Sequence, residues 1–222
     1  MTPHFEHHAG VRRFIHGGPP QGPRLLDCTV PDSQELRIVL PLASNVAEQL
    51  IKALEGRRYG SAVGRILCGG ASHLSYHRMV VTDKPERPYD YGAPVVLDGY
   101  ITFISGAITV GRDTQGAPLL HCHAGFLDRD GRQHGGHLVL DKLVVGSEPM
   151  VIRLCLFDHV AYQVQPDEET HFNLHTPNNN TKHVHTQHTC TYTTHIYICS
   201  THVRRKYRQQ TCTYTTHIYM HL

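Results

Sequence analysis

Residues 118–138 read PLLHCHAGFLDRDGRQHGGHL and contain four of the chain's histidines within 17 positions, from His121 to His137. Two strand-like segments flank an Asp-Arg-Asp-Gly cluster at 128–131, which is the pattern of a β-hairpin. Residues two apart in a strand point to the same face, so His121 and His123 project side by side while Cys122 faces the opposite way. The hairpin therefore presents two imidazoles on one surface.

The second strand brings another histidine, His137, back toward this pair. With a four-residue loop, His137 lies opposite Cys122 and on the wrong face. An odd loop, or a bulge at Gly135-Gly136, places it opposite His123 instead. Three neutral imidazoles converging from adjacent strands suit Zn²⁺ or another late first-row ion, with one position left for water or a further ligand.

We therefore predict a divalent-metal site, most simply for Zn²⁺, formed by His121, His123 and His137, and metal binding that weakens below about pH 6 as imidazoles protonate. The competing interpretation is that these strand histidines only hydrogen-bond to their neighbours. His134 has the wrong parity relative to His137 on a regular strand, so we expect it at the surface. The isolated histidines are expected to be satisfied polar residues; they are His73, His77 and His159.

Short strands separated by turn signals, such as Asp83-Lys84-Pro85 and Ser105-Gly106, account for most of the remaining sequence. One amphipathic helix is predicted, with Asn45 as its N-cap, Glu48 completing a capping box, and an end near Gly56. The predicted strands span residues 36–40, 62–68, 73–82, 95–104, 107–111, 119–127, 137–145, 151–157 and 160–165. This order predicts the α+β class, an antiparallel β-sheet domain with one or two flanking helices, and disfavours a dinucleotide-binding fold.

The chain divides into three segments. Residues 1–30 are dense in Gly and Pro and are expected to form an irregular N-terminal arm, and residues 31–175 form the α+β domain. Residues 176–222 are a low-complexity Thr/His/Tyr tail in which TCTYTTHIY occurs twice, at 189–197 and 211–219. We expect this tail to be disordered, either as a frame-shifted extension or as a metal-scavenging tract.

Cysteine usage and hydropathy bear on location. The seven cysteines include no Cys-x-x-Cys pair, and Cys68 and Cys155, which follow apolar residues, are expected to be buried thiols in a reducing compartment. The first 18 residues contain no apolar leader, and no apolar run approaches the roughly 20 residues of a membrane-spanning helix. These features favour a cytoplasmic protein without a membrane span.

The hairpin also resembles the central motif of a known family, the PPC domain (plants and prokaryotes conserved), in its bacterial stand-alone form. The segments that agree with it are residues 36–56, 68–70, 99–106, 118–138 and 169–174. The resemblance covers residues 30–175, and implies an α+β domain that assembles as a homotrimer with the histidine cluster as a divalent-metal site. It also implies a DNA-associated role, because the family is labelled as DNA-binding.

Two features oppose strong DNA binding. Plant members carry an Arg-Gly-Arg-Pro hook for the minor groove, and this sequence has none. Five of the 21 Lys and Arg residues lie in the tail, which has no Asp or Glu, so residues 1–175 have 16 basic and 19 acidic residues and a net charge of −3. We expect weak, nonspecific binding carried by the tail cations, which are Arg204, Arg205, Lys206 and Arg208.

These observations favour a non-enzymatic, metal-binding PPC module with a DNA-associated regulatory role. The alternatives are a small-molecule or nucleotide-binding trimer with its ligand at the metal, and a metal-dependent hydrolase that activates water. The hydrolase needs an acid/base residue at a defined offset, and the sequence identifies none. Asp128 and Asp130 belong to the turn, and Glu148 and Asp158 have no assigned position.

Overall fold

The computed structural model describes residues 5–8, 11–14, 16–21 and 33–179. Within these ranges, strands outnumber helices by a wide margin, and the fold is β-rich. The elements, in chain order, are β1 (Phe5–His8), β2 (Val11–Phe14), β3 (Ser33–Leu40), α1 (Val46–Leu54), β4 (Ser61–Cys68), β5 (Gly70–His77), β6 (Met79–Val81), β7 (Tyr89–Tyr91), β8 (Val95–Arg112), β9 (Pro118–Leu127), β10 (Gln133–Leu138), a 3₁₀ helix (Leu140–Lys142), β11 (Val144–Val145), β12 (Met150–Phe157), β13 (Val160–Pro166) and β14 (Asn173–Asn179).

One large sheet carries the fold. Its strand order is β11-β5-β10-β9-β8-β4-β12-β3, and every neighbouring pair on this path is antiparallel. β5 also pairs with the first half of β8, so β5, β10, β9 and β8 form a closed ring of four strands. β13 pairs with β14 and meets β8 through one parallel pair, Gln163 with Arg112. The predicted antiparallel sheet is confirmed.

Helix α1 begins where the sequence predicts. The Asn45 side chain accepts a hydrogen bond from the backbone N–H of Glu48 at 3.1 Å, which satisfies one of the free donors at the helix start. The buried face of the helix consists of Val46, Leu50 and Leu54, and α1 packs against the 3₁₀ helix and β3. None of the described helices has the length and apolar character needed to cross a membrane.

The predicted turn at Ser105-Gly106 is wrong. β8 runs through it without a break, with only a register shift between Phe103 and Ser105. Gly106 is buried, and a Cβ at this position would lie 2.7 Å from Cδ1 of Ile66. The glycine permits close packing beside a bulge rather than a chain reversal.

Two other predicted strands are divided. The segment predicted at 73–82 forms β5, which begins earlier at Gly70, and the short β6. The segment predicted at 137–145 forms the end of β10, the 3₁₀ helix and β11. The sheet therefore contains shorter pieces in these places than the hydrophobic pattern alone indicates.

The ends of the domain also differ from expectation. The N-terminal arm contains the hairpin β1–β2, and the backbone N–H of Gly18 donates to the carbonyl of Glu169 at 3.0 Å. β14 continues beyond the predicted limit at 175, because residues up to Asn179 pair with β13. The rest of the predicted tail, residues 180–222 with the cations Arg204, Arg205, Lys206 and Arg208, lies outside the described residues.

Candidate metal centre

The register of β9 and β10 determines where His137 lies. The first pair of the hairpin is Leu127 with Gln133, and His137 pairs with His123. Five residues, 128–132, separate the two strands, so the loop is odd. The pairs between β9 and β10 follow one another without a register shift, which means that the loop length alone brings His137 to the correct face and the bulge considered at Gly135-Gly136 is absent.

Asp128 organises this five-residue loop. One oxygen of its carboxylate, Oδ1, accepts the backbone N–H groups of Asp130 and Arg132, each at 2.9 Å. The backbone N–H of Asp128 donates to the carbonyl of Arg132 at 3.0 Å, closing the loop. Gly131 has a φ of 76°, a left-handed conformation that glycine adopts at little cost. These contacts fix the hairpin register from its turn.

The three histidines come together as a compact cluster. Ring centroids of His121 are 4.8 Å from His123 and 4.7 Å from His137, and the His123–His137 distance is 5.4 Å. One nitrogen of each ring lies within 4.8 Å of the others. Nδ1 of His137 is buried and has no hydrogen-bond partner. A buried polar atom without a partner lowers the stability of the folded state, and coordination of the ring by a metal ion would offset this cost. The three histidines therefore fit a metal ion.

The environment keeps these imidazoles neutral. Burial lowers the pKa of His121 to about 3, with further contributions from His137, His123 and His175. Burial, with the neighbouring His123 and His77, lowers the pKa of His137 to about 4. Burial also lowers the pKa of His123. A neutral imidazole has a free lone pair, so the cluster is ready to bind a metal ion at neutral pH.

Comparison with solved structures identifies the architecture. A metal-containing protein from Archaeoglobus fulgidus is 18% identical over 69% of this chain and 99% of its own, with a TM-score of 0.54. A "putative DNA-binding protein" from Ralstonia eutropha JMP134 is 19% identical over 62% of this chain and 88% of its own, with a TM-score of 0.51. At such identities these likenesses establish the fold alone. The chain has a PPC-like fold.

A plant- and prokaryote-conserved (PPC) protein from Pyrococcus horikoshii also matches, at 17% identity over 64% of this chain and 89% of its own, with a TM-score of 0.48. No protein-family model and no curated protein sequence matches the chain. The expected architecture, a mostly antiparallel sheet with one α-helix in the described part of the chain, is confirmed.

His134 is not the surface residue that its parity predicted. Its Nε2 lies 2.9 Å from Oδ2 of Asp128, and its Nδ1 lies 2.9 Å from the hydroxyl of Tyr76. The side chains of His134 and Asp128 are only 19% and 15% exposed. The hydrogen bond from His134 is the main cause that lowers the pKa of the Asp128 carboxyl. His134 therefore ties the hairpin loop to β5 on the side of the sheet opposite His137.

Sequence reasoning missed three residues beside the cluster. His77 pairs with His137 across β5 and β10, and its Nδ1 bonds the carbonyl of Gly92 at 2.8 Å. The Tyr91 ring lies 5.0 Å from His137. The ring of His175, on β14, lies 5.7 Å from His121. Each is remote in sequence from the hairpin, and only the pairing of distant strands in this PPC-like fold places it there.

Proposed function

We propose that this chain is a metal-binding, PPC-like module that holds one Zn²⁺ through His121, His123 and His137. The observation that carries the proposal is the convergence of three imidazole nitrogens, one from each ring, within 4.8 Å of one another. In the same cluster, Nδ1 of His137 is buried without a hydrogen-bond partner. Imidazole ligands favour Zn²⁺ and late first-row ions over Mg²⁺ or Ca²⁺, which take oxygen ligands. When bound, the ion supplies a cross-link between neighbouring strands.

The contacts of the carboxylates that could serve a hydrolase as acid or base support a non-enzymatic role. Asp128 is occupied by two backbone N–H groups and His134. Asp130 pairs with Arg132 at 3.4 Å, and Asp158 pairs with Arg58 at 2.8 Å. Glu148 lines a separate cavity of about 240 Å³ with residues of β5 and β8. None of these four carboxylates is offered to the imidazole cluster as a free acid or base.

Metal content of the purified full chain tests the proposal, together with its mass in solution. We expect one Zn²⁺ per chain and its loss when all three histidines are replaced by Ala. The tail, with its own His and Cys residues, is unchanged in that variant, so the loss is assigned to the cluster.

The resemblance to the PPC domain supports a homotrimer, and large apolar side chains exposed on β8, such as Tyr100 at 53% and Ile104 at 57%, agree with self-association. Light scattering that returns a monomer, or equal zinc in both proteins, would contradict these expectations.

The pH dependence of zinc binding follows from the lowered pKa values. Protons compete for an imidazole nitrogen only around and below its pKa; the pKa values of His121 and His137 lie at about 3 and about 4, and burial lowers the pKa of His123 as well. We expect zinc affinity to weaken at a lower pH than the pH of about 6 that ordinary imidazoles predict. Competition titrations with a chelator of known pH dependence measure this.

The metal-free protein provides the control for the same groups. Because the pKa of His121 lies below its ordinary value of 6.5, the unfolded chain binds more protons than the folded chain below that pH. Stability of the metal-free protein is therefore expected to decrease as pH falls from about 6.5 toward 4. The His121→Ala variant should show a shallower decrease, and an unchanged slope would contradict the assignment of a neutral, buried His121.

We also propose a DNA-associated regulatory role, supported by the name of the Ralstonia protein that shares the fold. Sequence-specific binding by the domain is not favoured, because several arginines of the described region are neutralised by acids. The pairs are Arg58–Asp158, Arg87–Asp90, Arg132–Asp130 and Arg153–Glu35. DNA attraction therefore depends on the tail cations.

This dependence gives a direct test with the full chain. Neutralising Arg204, Arg205, Lys206 and Arg208 with Gln should weaken DNA binding at low salt by at least about tenfold, and the logarithm of the affinity of the unaltered chain should fall steeply with that of the salt concentration. Fluorescence anisotropy with duplexes of different sequence measures both. Tight, sequence-selective binding that survives the four substitutions at physiological salt would show that the domain itself reads DNA.

A further inference from the structure

We propose that His175 is the fourth imidazole ligand of the ion held by His121, His123 and His137. This inference deepens the proposed function and rests on it, since it concerns the same ion. It assigns the metal ion a closed, all-imidazole coordination sphere, to which the C-terminal strand β14 contributes one side chain.

The position of His175 supports this role. Its ring centroid is 5.7 Å from that of His121, close to the 5.4 Å that separates His123 from His137 within the cluster. The nitrogens within 4.8 Å of one another belong to His121, His123 and His137. His175 thus flanks the cluster at His121, within reach of a change in side-chain rotamer.

The strand beneath His175 leaves space for its ring. Gly111 of β8 has no side chain, and a Cβ there would lie 2.4 Å from Nδ1 and 2.8 Å from Cε1 of His175. Thr109, two residues earlier on the same face of β8, pairs with His121. The glycine therefore admits the imidazole of β14 onto the sheet face that carries the cluster.

No hydrogen bond at Nδ1 holds the His175 ring in its place. Among the described side chains, two buried imidazole nitrogens have no hydrogen-bond partner, and they are Nδ1 of His137 and Nδ1 of His175. An unsatisfied buried nitrogen opposes the folded state, whereas a coordinated ring is fixed by the bond it makes. Nothing at Nδ1 has to be broken for His175 to reorient.

A fourth protein ligand changes what the site can do. Zinc sites that activate water keep one position open, whereas four protein ligands close a tetrahedral sphere and make the ion structural. With His175 bound, the ion links β14 to β9 and β10, and no position remains for a substrate. A fourth ligand thus favours a non-enzymatic binding module over a metal-dependent hydrolase.

Cobalt substitution in the full chain tests whether a fourth imidazole closes the coordination sphere. With three imidazoles and one water, the visible spectrum of bound Co²⁺ changes with pH as the water deprotonates, whereas four imidazoles leave no bound water to ionise. We expect a spectrum that does not change between about pH 6 and 9 for the unaltered protein and one that does for His175→Ala, together with a loss of zinc affinity of at least about tenfold. His73→Ala is the matched control, because His73 lies on β5 and bonds the exposed Asp98 at 2.6 Å, away from the cluster.

Two further variants separate ligation from packing. His175→Cys should restore tight binding and a pH-independent visible spectrum, and add a thiolate-to-cobalt charge-transfer band in the near ultraviolet to whatever the unaltered chain shows there. Gly111→Ala keeps every nitrogen but displaces the His175 ring, so its cobalt spectrum should depend on pH as that of His175→Ala does. Circular dichroism of the metal-free variants shows that each is folded.

The outcomes distinguish this inference from the function it rests on. If the unaltered chain binds zinc and His175→Ala binds it equally tightly with the same cobalt spectrum, the fourth ligand is wrong and the three-histidine site stands. If the triple variant at positions 121, 123 and 137 retains the zinc of the unaltered chain, or the unaltered chain binds none, both proposals fail. A pH-dependent cobalt spectrum in His175→Ala with an added charge-transfer band in His175→Cys supports His175 as a ligand.

Discussion

Replacing His137 with Ala is expected to lower zinc affinity by about 100-fold or more, because a cluster of three ligands loses one and the ion gains water in its place. His137 lies on a different strand from His121 and His123 and contributes a ring with a buried, unpartnered Nδ1. Competition with a chromophoric chelator measures the affinity. The Ala variants of the three histidines should also be strongly non-additive, since any one of them disables the same site.

The matched control for this prediction is His73→Ala. His73 lies on β5 and its Nδ1 bonds Asp98, outside the cluster. His134 is a poorer control than its place in the sequence predicts, because it holds the hairpin loop through Asp128 and its loss affects His137 indirectly. Equal zinc affinity in His137→Ala and His73→Ala would remove His137 from the site.

The second large effect is expected at a residue that ligates nothing. A Cβ on Gly136 would lie 2.2 Å from the backbone oxygen of His77, so Gly136→Ala forces β10 away from β5. Overpacking of this kind costs about 1–3 kcal/mol. Because His137 is the next residue, its ring moves with the strand, and zinc affinity should fall as well. Urea unfolding of the metal-free protein and a zinc titration measure the two effects.

Gly125→Ala is the matched control for Gly136→Ala. Gly125 lies on β9, and a Cβ there would have its nearest contacts at 3.7 Å and 3.9 Å, which is ordinary van der Waals separation. We expect its stability to stay within about 1 kcal/mol of the unaltered protein, with either sign. If Gly136→Ala is as stable as Gly125→Ala and binds zinc equally well, the close approach of β10 to β5 does not position His137.

Local patterns in the sequence predict part of this site and fail for a physical reason on the rest. Strand parity places His121 and His123 on one face because it depends only on neighbouring residues. The position of His137 depends on loop length, which the sequence leaves open until the hydrogen bonds of Asp128 close five residues. His175 lies beyond local reasoning altogether, since β14 is brought to the sheet through β13 and its single parallel pair with β8.

The same distinction explains the fold. The helix was predictable because Asn45 and the apolar spacing after it act within one or two turns. The misread turn at Ser105-Gly106 has the composition of a loop, yet Gly106 is selected by its contact with Ile66 on another strand. A glycine can mark either a turn or a position of close packing within a strand, and tertiary packing determines which of the two it is.

The closed ring of β5, β10, β9 and β8 has a consequence for how the protein folds. Two of its pairings, β8–β9 and β9–β10, are hairpins with short loops, whereas the pairing of β5 with β10 joins residues far apart in the chain, such as His77 and His137. Closing such long-range contacts is associated with slower folding, and the amides of these strands should be among the slowest to exchange with solvent. Because His121, His123 and His137 lie in one hairpin, their mutual register is set locally, and closure of β5 onto β10 then adds the neighbours that bury the cluster.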